Sequence, residues 1–198
     1  MRRSRALTTL ALLTAATLVT GCASDGHRVR TSAKPTPSAP TQALITWMDK
    51  ICAADADLQT QQSAARVAAL SITARHPTPK QLAGFAAAVR DGLEKNLKKF
   101  RKAGRAGIPG GDRVTAAYIT AVTGAVSKLK KAEKSAKDPS TPAFIRSYLP
   151  QQVSSYTQAA APKGTDLPTL TAHSPTADQA YKKSPNCKGT PLTAKPSG

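Results

Sequence analysis

Thr78-Pro79-Lys80-Gln81 opens the stretch that most limits what this chain can fold into. Thr78 suits a helix N-cap, Pro79 suits the first helical position, and Gln81 completes a capping box. Leu82, Phe85, Val89, Leu93 and Phe100 then fall within an arc of about 80° on a helical projection. Lys95, Lys98, Lys99, Lys102 and Arg105 centre nearly opposite. A single apolar stripe backed by cations is the pattern of a surface helix that must bury one side against other elements. Gly104 and the run Gly107-Ile108-Pro109-Gly110-Gly111 end it.

The flanking stretches have the same period. Thr41 is the expected cap of a first helix. Leu44, Met48, Ile51, Leu58, Ala65, Ala69 and Ile72 recur there at spacings of three and four. Asp55 and Gln62 interrupt that face, which predicts a bend or an uncovered gap. The helix should stop before His76-Pro77-Thr78-Pro79, since a residue preceding proline avoids the helical region. Asp112 is the expected cap of a third helix, with Val114, Tyr118, Ala121, Ala125, Leu129 and Ala132 on one face. Lys130, Lys131, Lys134 and Lys137 lie on the other. Asp138-Pro139 closes this helix and Thr141-Pro142 starts a fourth, which carries Phe144, Ile145, Tyr148 and Leu149. Pro150 should kink or split it, because proline removes a donor and crowds the preceding turn. The continuation, with Val153 and Tyr156, should end near Ala161.

Aromatic residues are 4% of the chain, so its core must rest on Ala, Leu, Val and Ile, which suit close-packed helices. The expected fold is all-α, a four-helix-type bundle with a short C-terminal helix or tail pinned by a disulfide. Residues 41–161 form the bundle. Residues 162–198 form a Pro/Thr-rich tail, loop-like except for a short helix near 175–183. No repeat of solenoid period is present.

The first forty residues read differently. Arg2, Arg3 and Arg5 precede an apolar run from Ala6 to Val19. It has signal-peptide length and is short for a bilayer span. The run closes on Val19-Thr20-Gly21-Cys22, which resembles the lipobox of bacterial prolipoproteins. The resemblance implies cleavage after residue 21 and acylation of Cys22. Two or three acyl chains, at about 0.8 kcal/mol per buried CH₂, make a stable anchor. Residues 1–21 are then a signal peptide and 22–40 a Ser/Thr/Pro-rich disordered tether. The expected location is the outer face of the cell membrane. Removing residues 1–21 takes away three arginines and no acid, so the formal charge falls from +18 to +15.

With Cys22 lipidated, Cys52 and Cys187 remain. Two leftover cysteines in an exported chain most simply pair; a free thiol or a metal pair is the alternative. The pattern of residues 41–187 also resembles a loose group of small lipoproteins and secreted proteins of high-GC Gram-positive bacteria. The features in common are Trp47 to Ile51-Cys52, Gly107-Ile108-Pro109 and Pro185-Asn186-Cys187. That resemblance implies a helical bundle with a disulfide and no activity.

Chemistry is sparse. His27 falls in the tether, His76 precedes Pro77, and His173 is in the tail, so none is set beside a nucleophile. Asp55 and Asp57, two apart on a helix, project about 200° from each other and make no glycosidase pair. The alternative for Asp55 with Gln62 is a pair of polar groups lining a gap in the bundle, a small-molecule cleft. No His/Cys/acid cluster has metal-ligand spacing, and Gly107–Gly111 lacks the Lys-Ser/Thr of a phosphate loop. No catalytic residue, metal or cofactor is therefore assigned.

The basic residues Lys95, Lys98, Lys99, Lys102 and Arg105, with Lys130, Lys131, Lys134 and Lys137, are the strongest positive feature. Solvated helix faces are the plain account. The sharper one is a surface for anionic polymer or lipid. An extracytoplasmic domain poor in aromatics is an unsuitable nucleic-acid binder. The leading expectation is a non-enzymatic, lipid-anchored binding module of the cell envelope. The alternatives are an accessory lipoprotein for a membrane protein partner and an enzyme whose site is assembled only by the fold. If the second and third helices pack antiparallel, their two basic clusters belong at opposite ends of the pair.

Overall fold

The computed structural model describes residues 38–188; Cys22, the signal peptide and residues 22–37 of the tether lie outside them. The described residues belong to one compact unit. Every member of its buried apolar core lies between Leu44 and Cys187, so this unit carries a complete core.

All regular structure among the described residues is helical. The order is α1 (Gln42–Thr73), α2 (Pro79–Lys102), α3 (Gly111–Lys137), α4 (Ala143–Gln158), α5 (Leu167–His173), α6 (Pro175–Lys183) and a 3₁₀ turn at Pro185–Cys187. The first four make the bundle, and α2 and α3 share the most extensive contact. Side-chain pairs fix the directions. Asn96 of α2 donates to the Ala54 carbonyl of α1 at 3.0 Å, and Gly92 lies against Gln61, so α1 and α2 run antiparallel. Arg90 pairs with Glu133, and Glu94 with Lys130, so α2 and α3 do too. Gln62 donates to the Thr157 carbonyl at 3.2 Å and Gln151 to Thr73 Oγ1 at 3.1 Å, which reverses α4 against α1.

The starts of α1 and α2 match the capping signals. Thr41 Oγ1 accepts from Leu44 N at 3.2 Å, and the Thr78–Gln81 capping box is complete. The predicted stripe of α1 is buried from Leu44 to Ala69. Trp47, fully enclosed, donates from Nε1 to Thr115 Oγ1 at 3.2 Å, and Phe100 stacks on Tyr118 with ring centroids 4.5 Å apart. Three of the chain's eight aromatic residues, Trp47, Phe100 and Tyr118, are thus buried in contacts among α1, α2 and α3.

Several expectations need correction. Asp112 does not cap α3; Gly110 does, in the left-handed region at φ 85°. The Asp112 carboxylate instead reaches back to accept from Ala106 N at 2.9 Å. Gly111 explains this close entry, because a Cβ there would sit 2.2 Å from that of Ala106. Of the kink or split expected at Pro150, the split does not occur: α4 runs unbroken through it, as α1 does through Asp55 and Gln62. The tether ends earlier than Pro40, since Pro40 is buried and the Ser38 carbonyl accepts from Thr176 Oγ1. The tail holds a second helix, α5, capped by Asp166 Oδ1 on Thr169 N at 3.0 Å.

The tail is tied to the N-terminal half of α1. Cys187 is disulfide-bonded to Cys52, with Cα atoms 5.1 Å apart across a separation of 135 residues. Around it, Asn186 donates from N and Nδ2 to the Asp49 carboxylate, both at 2.8 Å. Ser184 Oγ donates to the Ile45 carbonyl at 3.1 Å.

Candidate functional site

The bundle has two ends. One gathers the start of α1, the end of α2, the start of α3, and the disulfide-tied tail; α4 ends at mid-bundle, beside Gln62. The other gathers the end of α1, the start of α2, the end of α3 and the start of α4. The level of Glu94 and Lys130, 3.1 Å apart, divides the cations of α2 from those of α3. Lys95, Lys98, Lys99, Lys102 and Arg105 run from it toward the disulfide end. Lys131, Lys134 and Lys137 run toward the other.

All nine predicted cations are exposed, but they are not equivalent. Lys99 pairs with Asp57, Lys130 with Glu94, and Lys137 with Glu133 at 2.6 Å. Among the described residues, no ion pair engages Lys95, Lys98, Lys102, Arg105, Lys131 or Lys134. Exposed pairs of this kind contribute at most about 1 kcal/mol, so a polyanion could displace them at small cost. Helix spacing gives the α2 set its geometry. Lys95, Lys98, Lys99 and Lys102 recur every three or four residues along one side, and Lys102 and Arg105 flank the point where the helix ends.

Sequence reasoning missed a cation near this set. Arg113, on the first turn of α3, is exposed and borders a cleft of about 290 Å³ with Asp166, Thr169 and His173. His173 is in α5 and belongs to this cleft because Asp166 turns the chain there. Its carboxylate is engaged by Thr169 N and by Thr169 Oγ1 at 2.7 Å. The signal for Arg113 was its place just after the glycine turn, which brings it to the same end as Arg105.

The polar residues noted on α1 have structural partners. Gln62 and Gln158 bridge α1 and α4 reciprocally: Gln158 Nε2 donates to the Gln62 carbonyl at 3.1 Å, and Gln62 Nε2 to that of Gln158 at 3.3 Å. They bridge that interface. Asp57 turns outward to Lys99. Asp55 turns inward. Burial raises its pKa, opposed by hydrogen bonds from the Tyr118 hydroxyl and Gln59, while the charge of Asp166 adds to the rise. Burial, and then Asp55, also drives the Tyr118 hydroxyl well above its ordinary range. A phenol held protonated in this way serves as a donor. His76 is an exposed turn residue at φ 48°, and His27 lies outside the described residues. No group of His, Cys, Asp and Glu among the described residues could hold a metal ion.

Compared with protein-family models, curated proteins and solved structures, the chain matches none.

Proposed function

We propose that this protein is a lipoprotein, anchored through Cys22 to the outer face of the cell membrane, whose helical bundle binds anionic polymer of the cell envelope. The polymer-binding surface is the α2 set: Lys95, Lys98, Lys102 and Arg105, with Lys99 recruited from Asp57 and Arg113 beside the adjoining cleft. The observation that carries the reading is that Lys95, Lys98 and Lys102 on one side of α2, with Arg105 just past its end, stand exposed and in no ion pair among the described residues. Such contacts favour a flexible, multiply charged chain over a compact phosphate ligand. They are solvent-exposed, so binding is weak and sensitive to salt, with screening beyond about 8 Å at physiological ionic strength. The bundle acts as a binding module and catalyses no reaction.

Two experiments test the two parts. The chain expressed in an exporting bacterium should gain the mass of acyl chains and remain with membranes, whereas Cys22→Ala should yield an unprocessed or released product. Unchanged mass with unchanged membrane retention would overturn the anchor. The unlipidated unit of residues 37–198 should be captured by stripped cell envelopes at low salt and released at high salt. Absence of capture at low salt would overturn the polymer surface.

A further inference from the structure

The end of the bundle farthest from the disulfide carries an apolar surface that the polymer reading does not use. Among the described residues the exposed large hydrophobic side chains are Val67, Leu70, Phe144, Ile145 and Tyr148. All belong to the last turns of α1 or the first turns of α4, which the antiparallel pairing brings to one end. Leu70 and Phe144 are each 67% exposed, and Tyr148 62%. Val67 and Leu70 are three apart, and Phe144 and Tyr148 four apart, so each pair shares a helical side. A shallow cleft lined by Pro77, Leu82, Ala143 and Arg146 lies at the same end.

The charge around this surface is one-sided. Residues 58–90 and 139–165 contain no Asp or Glu. Arg66, Arg75, Lys80, Lys134 and Lys137 are exposed, and Arg146 partly so. The acids nearest this end, Asp91, Glu133 and Asp138, are engaged, Asp91 by Arg90 at 2.7 Å. Glu133 holds Arg90 and Lys137. The Asp138 carboxyl is held below its usual range by hydrogen bonds from Ser140, with Lys134 and Arg146 adding to the effect.

We propose that this end docks on the surface of an anionic bilayer. Phe144, Tyr148, Leu70 and Val67 would enter the headgroup boundary, and Arg66, Arg75 and Arg146 would meet lipid phosphates. Amphipathic aromatics flanked by Arg and Lys have the chemistry of an interfacial membrane contact. No helix among the described residues is long and apolar enough to cross a membrane, so the contact is superficial. A second copy of the chain is a poor occupant, because it would bring like charges face to face. The segment after Cys187 is another poor one, since Leu192 is its one large apolar residue.

The proposal extends the anchored reading. From Cys22 to Ser38 the chain can span at most about 58 Å, and α1 is about 48 Å long. A bundle tethered at Cys22 therefore has enough chain to lay its far end on the same membrane.

The test uses the unlipidated unit, residues 37–198, so failure of the anchor at Cys22 cannot mask the result. At physiological salt it should sediment with vesicles of equal parts phosphatidylglycerol and phosphatidylcholine, and far less with phosphatidylcholine alone. Phe144→Ser with Tyr148→Ser removes two exposed side chains and leaves the core intact. This double variant should bind at least about tenfold more weakly, with unchanged circular dichroism and melting. A variant with Lys95, Lys98, Lys102 and Arg105 changed to Gln should retain vesicle binding, which separates this surface from the polymer surface. Equal binding by the serine variant, no binding to either vesicle, or loss of binding in the glutamine variant would overturn the proposal. A concentration-dependent dimer abolished by the serine substitutions would do so as well, by assigning the face to a second copy. So would a photo-crosslink from position 148 to a membrane protein without vesicle binding.

Discussion

Lys130 Nζ lies 3.1 Å from the Glu94 carboxylate, and this pair marks where the basic sides of α2 and α3 part company. Below it the α2 cations continue to the end that the disulfide ties down. Above it the α3 cations continue to the end where α4 exposes Phe144 and Tyr148. The same antiparallel register therefore separates two surfaces of different chemistry, one cationic and polar, the other cationic and apolar.

The entry to α3 depends on an absent side chain. Gly111→Ala would place a methyl 2.2 Å from the Ala106 Cβ, and two short side chains have no rotamer with which to avoid each other. The backbone of the α2–α3 connection must then shift. A destabilisation of about 1–3 kcal/mol is expected, read from urea unfolding. Gly124→Ala, where a Cβ meets nothing within 4 Å, should be neutral or stabilising.

The disulfide joins residues 135 apart in sequence. Chain entropy alone predicts about 5 kcal/mol for a loop of that length, an upper figure, and removal of native disulfides costs about 2–5 kcal/mol. Cys52→Ala with Cys187→Ala should lower the unfolding free energy by that range. It should also raise hydrogen exchange in α6 and the 3₁₀ turn before α2 or α3, because the tail would then be held without its covalent tie, by the bonds to Asp49 and Ile45 and the burial of Ala177 and Ala180.

Asp55 gives the stability a defined pH dependence. Burial raises its folded-state pKa above the ordinary 3.8, so the folded chain binds this proton more tightly than the unfolded chain. The stabilising contribution is fullest below the ordinary value and is lost as pH climbs through the raised one. Asp55→Asn removes that dependence. The stability of the variant relative to the parent should rise between acidic and neutral pH, then level off. The reverse trend in paired urea titrations would mean that the bonds from Tyr118 and Gln59 outweigh burial.

Much of the bundle is legible in the residues, for identifiable reasons. Thr78, Pro79 and Gln81 satisfy local donors, so their roles can be read without knowing any neighbour. The α1 stripe is long enough for its period to show through Asp55 and Gln62. The missed helix α5 is a short segment whose Leu167 and Leu170 carry no periodic signal; only the Asp166 cap and Pro168 announce it. Asp112 has the residue type of a cap but not its place, because a cap is set by backbone geometry and Gly110 supplies the left-handed turn there. In α4 apolar residues occur on several sides, so periodicity does not say which side a neighbour covers. The packing against α1 buries Leu149 and Val153 and leaves Phe144 and Tyr148 outside.

Titration of the unlipidated unit with a teichoic-type polymer, at low and at physiological salt, tests the central claim most directly. The parent should bind at low salt and weaken steeply as salt rises. The variant with Lys95, Lys98, Lys102 and Arg105 changed to Gln, its helices intact by circular dichroism, should lose most of that binding. Equal binding by parent and variant, or no binding by the parent at low salt, would contradict the account and leave the basic side of α2 as a solvated face.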